Sequence, residues 1–129
     1  MRHDPLDVGF VTSRSETDWL ISILGEIDIR TDSLRTFADL QYALRAGRKF
    51  DAVLTDETVD DGTSYKDVIR ECQYCEACPS VVVCLRNPTP QSIHAVFECG
   101  ATDCLIPPYI HTEVRRTLEV AAARTMMGI

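Results

Sequence analysis

The chain has 129 residues and a mass of 14.5 kDa, room for one ordinary domain with a single core. Hydrophobic residues at 45% and charged residues at 26% exclude a disordered chain, and a formal net charge of -7 argues against a nucleic-acid partner, because phosphate binding needs clustered Lys and Arg. No apolar run reaches the roughly 20 residues of a membrane span, and the N-terminal MRHDPLDVGF lacks the basic and long apolar regions of a secretion signal, so a cytoplasmic protein without a membrane partner is expected.

Short β-rich runs alternate with segments of helical period. The first run, Leu6 to Thr12, reads as a strand. Ser15 and Asp18 have the spacing of a capping box before a stripe of Trp19, Leu20, Ile23 and Leu24, which Gly25 is expected to stop. A second strand is expected over 27–31, around Ile27 to Ile29. Asp32 or Ser33 then caps a helix whose inner face is Phe37, Leu40 and Leu44, ended by Gly47. The third strand, over 50–55, stops at Asp56 and is followed by a polar loop from Glu57 to Thr63.

Tyr65, Val68, Ile69 and Cys72 fall at i, i+3, i+4 and i+7, the signature of a third amphipathic helix. Pro79 opens a fourth strand, over 80–85, apolar on both faces as buried parallel strands are. Thr89 and Pro90 take the N-cap and first position of a fourth helix carrying Ile93, Val96 and Phe97, and Gly100 ends it. A fifth strand covers 103–106. After Pro107-Pro108, Thr112 caps a last helix facing Val114, Leu118 and Ala121 inward. Five βα units with short connections imply an α/β fold, a parallel sheet covered on both sides, in one domain over 1–129. In such sheets the chemistry sits beyond the carboxyl ends of the strands. Those ends carry Thr12, Ser13 and Arg14, then Asp56, then Cys84 to Arg86, then Pro107-Pro108. The chain stops soon after the last helix, so no output domain is expected.

Along nearly its whole length the chain resembles the CheY-like receiver domain of bacterial response regulators. The resemblance rests on Phe50-Asp51-Ala52-Val53-Leu54-Thr55-Asp56 followed by Val59-Asp60-Asp61-Gly62, on Pro79 to Cys84, and on Cys99-Gly100-Ala101-Thr102-Asp103 running into Pro108 and Tyr109. It implies a doubly wound (βα)5 sheet of flavodoxin-like order 2-1-3-4-5, and puts Asp56 where the family has its phosphoacceptor. It also implies a cis peptide before Pro108, a function in two-component signalling, and a histidine kinase or other signalling protein as partner. A homodimer through the fourth helix, fifth strand and fifth helix belongs to the same expectation.

The rest of the family's phosphoryl-transfer equipment is replaced. The acidic pair that holds Mg²⁺ aligns with Thr12 and Ser13, followed by Arg14, which leaves Asp56 and the carbonyl of Thr58 as ligands. The Ser or Thr at the end of the fourth strand aligns with Cys84, or with Leu85 if the register slips by one. The lysine aligns with Pro107, and the switching aromatic with Cys104. A pseudo-receiver that is not an enzyme and acts through protein contacts is therefore expected, with Mg²⁺-dependent autophosphorylation of Asp56 as the alternative. Arg14 or Arg86 could pair with Asp56 in place of metal and lysine, or both could point into solvent.

Cys72, Cys75 and Cys78 form a C-x2-C-x2-C run, spaced like ligands of iron–sulfur or zinc sites. Cys84 lies six residues along a strand from Cys78, roughly 20 Å at about 3.3 Å per residue, so Cys99 is the fourth thiolate the topology allows. A metal or redox sensor built on these thiols competes with Cys72 as core and Cys75 and Cys78 as incidental loop thiols. His94 and His111 are expected at the surface.

Overall fold

The structure, a computed structural model, describes residues 5–12, 18–60 and 62–128. Ser13, Arg14, Ser15 and the side chain of Trp19 lie outside that description. The described residues form strands β1 (Asp7–Val11), β2 (Arg30–Leu34), β3 (Ala52–Asp56), β4 (Thr58–Asp60), β5 (Thr63–Ser64), β6 (Ser80–Cys84) and β7 (Asp103–Leu105). The helices are α1 (Asp18–Glu26), α2 (Phe37–Arg45), α3 (Tyr65–Tyr74), α4 (Pro90–Glu98) and α5 (His111–Met127). Five strands make one parallel sheet in the order β2-β1-β3-β6-β7, the expected order once the β4-β5 hairpin is counted.

The central strands are apolar throughout, yet they sort by period two into two cores. Val8, Phe10, Ala52, Leu54, Val82 and Cys84 face α1 and α5, where Leu20, Leu24, Val114, Leu118 and Ala121 close over them. Val11, Val53, Val81 and Val83 face α2, α3 and α4 through Leu40, Leu44, Val68, Ile69 and Val96. Gly9 shares this second face, and its missing Cβ makes room for the Phe50 ring, 3.0 Å from where that atom would stand. The guanidinium of Arg48 lies 4.6 Å from the centre of the same ring and grips Asp7 (2.8 Å) and Asp32 (2.9 Å), tying β1 to β2 at the amino end of the sheet.

Several local expectations shift. Gly25 does not end α1, which runs on to Glu26; Asp28 takes the left-handed turn at φ 63°, a conformation Asp tolerates. Ile27 and Ile29 are spent in that exit, buried beneath α1, and the second strand is the polar Arg30–Leu34. As an edge strand it pairs only with β1 and needs no apolar pattern. Asp32 and Ser33 thus lie in β2, and the cap of α2 is Thr36, whose side chain accepts from the Asp39 amide at 3.1 Å in a capping box. Thr89 and Pro90 start α4 as expected. Phe97, however, is 44% exposed, and Val96 carries the inner face. The last helix begins at His111 with Ile110 as N-cap and no side-chain cap, ahead of Thr112, because its first turn is exposed and water can meet its free amides. Ile106 lies just past β7 and is exposed.

The expected polar loop after β3 is a small antiparallel hairpin, β4-β5, pinned by buried Val59. Asp60 on it accepts the Thr63 hydroxyl and, at 3.0 Å, the Phe37 amide at the start of α2. The Thr63 bond first, and the Phe37 bond second, hold its carboxyl below the usual value of 3.8. The unfolded chain therefore binds the proton more readily, and the stabilisation is present above about pH 4 and lost as pH falls through the lower folded value. Asp60→Asn is expected to lower the urea midpoint at neutral pH, with the gap to the parent closing on acidification. A gap independent of pH would show that the carboxylate charge is not what matters.

Candidate functional site at the carboxyl ends of the strands

Asp56 is the last residue of β3 and lies in register beside Cys84, the last of β6. Cys84, and not Leu85, is therefore its neighbour across the sheet. Val11 ends β1 opposite Thr55, so the next residue, Thr12, reaches the same rim. Thr12 and Asp56 are both buried, and the Thr12 hydroxyl donates a hydrogen bond to Asp56 Oδ2. The backbone holds this donor in place, since the Thr12 amide donates to the Leu34 carbonyl at 3.0 Å. A charge-assisted bond of this kind is roughly twice as strong as a neutral one.

Asp56, Glu57, Thr58, Cys84, Arg86 and Asn87 line a pocket of about 250 Å³. Arg86 thus shares the pocket with Asp56, while Arg14 falls outside the described residues. Burial first, then Asp56 and Cys104, push the Cys84 thiol far above its ordinary range, so it stays protonated. Tyr109 lies close to Cys84, and its hydroxyl is raised by burial first and then by Cys84 and Asp56, with Arg86 pulling it back. In the sequence Tyr109 stands only as the neighbour of Pro108; no periodicity marks it, and only the path of the chain after β7 brings it near Cys84. The Pro107–Pro108 peptide is cis, as expected. Pro107 lines a different hollow, of about 680 Å³, between β7 and α5.

The resemblance implies Mg²⁺ beside Asp56, and the donors here match that ion poorly. Mg²⁺ is held in octahedral oxygen sites anchored by carboxylates. Thr12 supplies a neutral hydroxyl, already committed to Asp56. Among the described residues no group of three or more His, Cys, Asp or Glu is placed to hold a metal ion.

Cys72, Cys75, Cys78 and Cys99, considered as a cluster, do not form a metal-holding group among the described residues, although Cys72 lines one hollow with Cys78. Cys72 is sealed in the core, and its thiol is raised chiefly by burial. Cys99 is half-buried beside Tyr65, whose hydroxyl is raised by burial first and then by Cys99. The Cys78 thiol donates to the carbonyls of Cys75 (3.0 Å) and Gln73 (3.4 Å) at the end of α3. All six cysteines are free. His94 and His111 are exposed, as expected, but each meets a carboxylate: Glu98 one turn along α4, and Glu26 of α1 at 2.5 Å. No helix among the described residues is long and apolar enough to cross a membrane.

No protein-family model and no curated protein matches the sequence. Solved structures do match the fold. The receiver domain of a sensor histidine kinase from Pseudomonas aeruginosa, solved with magnesium coordinated in its active-site cleft, superposes with a TM-score of 0.78 at 16% identity, covering 92% of this chain and 98% of that one. A response regulator receiver domain protein from Clostridium thermocellum gives 0.79 at 14% identity over 95% and 98%. The signal receiver domain of a histidine kinase from Syntrophus aciditrophicus gives 0.73 at 15% identity over 92% and 90%. With its 2-1-3-6-7 parallel sheet, its helices on both faces and Asp56 at the end of the central strand, the chain has the CheY-like fold of response-regulator receiver domains.

Proposed function

We propose that this chain is a receiver-type signalling domain of two-component or derived systems that works by docking, as a pseudo-receiver whose Asp56 is kept without magnesium-dependent chemistry. The reading rests on the Thr12–Asp56 hydrogen bond. Phosphoryl transfer is catalysed by positioning and by neutralising charge on the transferred group. Where the family offers a carboxylate-bound cation, a hydroxyl donor and a lysine, this rim offers the Thr12 hydroxyl, a protonated thiol and, at Pro107, a residue with no side-chain donor. The partner would be a histidine kinase or another signalling protein, or a second copy of the chain. The face formed by α4, β7 and α5 suits such docking, since Phe97, Ile106, Ile110 and Val120 are exposed there.

The purified chain, incubated with acetyl phosphate and Mg²⁺, is expected to show no phosphoryl adduct by intact mass. Stoichiometric phosphorylation that disappears in Asp56→Ala would replace this reading with that of a phosphorylatable receiver. That second reading draws on one observation, the pocket that Asp56 shares with Arg86.

A further inference from the structure

The turn between α3 and β6 carries two thiols that the signalling site does not use. We propose that Cys75 and Cys78 are a reversible dithiol–disulfide site, oxidised by low-molecular-weight disulfides of the glutathione class.

The backbone sets up the pair. Cys75 is the C-cap of α3, with extended dihedrals of φ -82° and ψ 154°. The Cys78 amide donates to the Cys75 carbonyl at 3.2 Å, closing a four-residue turn. Such a turn keeps its end Cα atoms within about 7 Å, and a disulfide spans about 4.4 to 6.8 Å. The Cys78 sulfur is folded back over this turn, 3.0 Å from the Cys75 carbonyl oxygen. Access is right for exchange, with Cys78 exposed and Cys75 half-buried. Of the other thiols, Cys72 shares a hollow with Cys78 but is 1% exposed in the core, Cys84 is buried at the opposite end of the sheet, and Cys99 and Cys104 are half-buried outside this turn. Cys78 also has a left-handed φ of 44°, so glycine can replace it without strain.

The chemistry balances in two exchanges. The Cys78 thiolate attacks one sulfur of the small disulfide and expels a thiolate, leaving a mixed disulfide on Cys78. The Cys75 thiolate then attacks the Cys78 sulfur and expels the second small thiol. Two electrons pass from the protein pair to the reagent, and two protons go to the released thiols. Closing the bridge also withdraws the Cys78 S–H from the carbonyls of Gln73 and Cys75, so oxidation alters the end of α3 next to β6.

The test equilibrates the reduced chain with glutathione disulfide under anaerobic conditions, then alkylates the remaining thiols in denaturant and maps the peptides. Two of the six thiols are expected to resist alkylation, to map to Cys75 and Cys78 in one peptide, and to be restored by dithiothreitol. Cys78→Gly and Cys75→Ser should each abolish the bridge, with circular dichroism reporting a retained fold. A lasting glutathione adduct on Cys78 beside a free Cys75, a bridge to Cys72 or to a second chain, or six thiols that stay alkylatable would overturn the proposal.

Discussion

Phe10→Ala is expected to destabilise the domain by about 4 kcal/mol, the usual range for emptying a buried aromatic site being about 3–5. Phe10 is fully buried on β1, which β2 and β3 flank on both sides, and its ring fills the space beneath α1 and α5. Little can collapse into the hole, because its walls are the paired central strands and the small Ala52. Against a total stability of about 5–15 kcal/mol for an ordinary domain, the variant should stand near the edge of unfolding. A urea titration measures this as a lower midpoint at unchanged slope. Phe97→Ala is the paired control. Helical spacing put Phe97 on the inner face of α4, whereas the structure leaves it 44% exposed, and its loss should stay within about 1 kcal/mol. Equal losses at the two positions would mean that Phe97 is packed into the core in solution.

Thr12→Val is expected to cost about 2 kcal/mol at neutral pH, because a hydrogen bond to a charged group contributes about 1.5–3. Valine keeps the shape of threonine, so the change isolates the hydroxyl that Asp56 accepts. Thr12→Ser should restore most of the loss. Thr12→Asp asks the more telling question, since it places a second carboxylate against a buried one. Repulsion should lower its stability without metal, and Mg²⁺ at ten times its dissociation constant should return about 1.4 kcal/mol. The parent chain's melting temperature should not respond to Mg²⁺. An equal response in the parent would mean that Thr12 is not what separates this site from the ion, and the docking reading would lose its main support.

Much of the fold was legible in the residues themselves. Apolar runs at 50–55 and 80–85, and helical stripes such as Tyr65, Val68, Ile69 and Cys72, are strong patterns, because a residue buried from both sides has little chemical latitude. Weak patterns misled where burial is partial. The edge strand Arg30–Leu34 is polar, so the nearby isoleucines drew the prediction toward themselves, although they belong to the turn beneath α1. The β4-β5 hairpin is too short to show alternation. It exists because Val59 is buried and Asp60 reaches the first amide of α2, a contact across 23 residues.

The sequence by itself determined the alternating architecture and the candidate acid at the end of the central strand. Those are matters of residue identity and order. Only the tertiary structure decided what surrounds that acid. That Thr12 donates to Asp56, that Tyr109 comes near Cys84, and that Cys99 lies beside Tyr65 each depend on where separate strands and loops converge. A side chain's partner at a sheet rim is set by the register of neighbouring strands and the path of the next loop, and neither is written in local spacing.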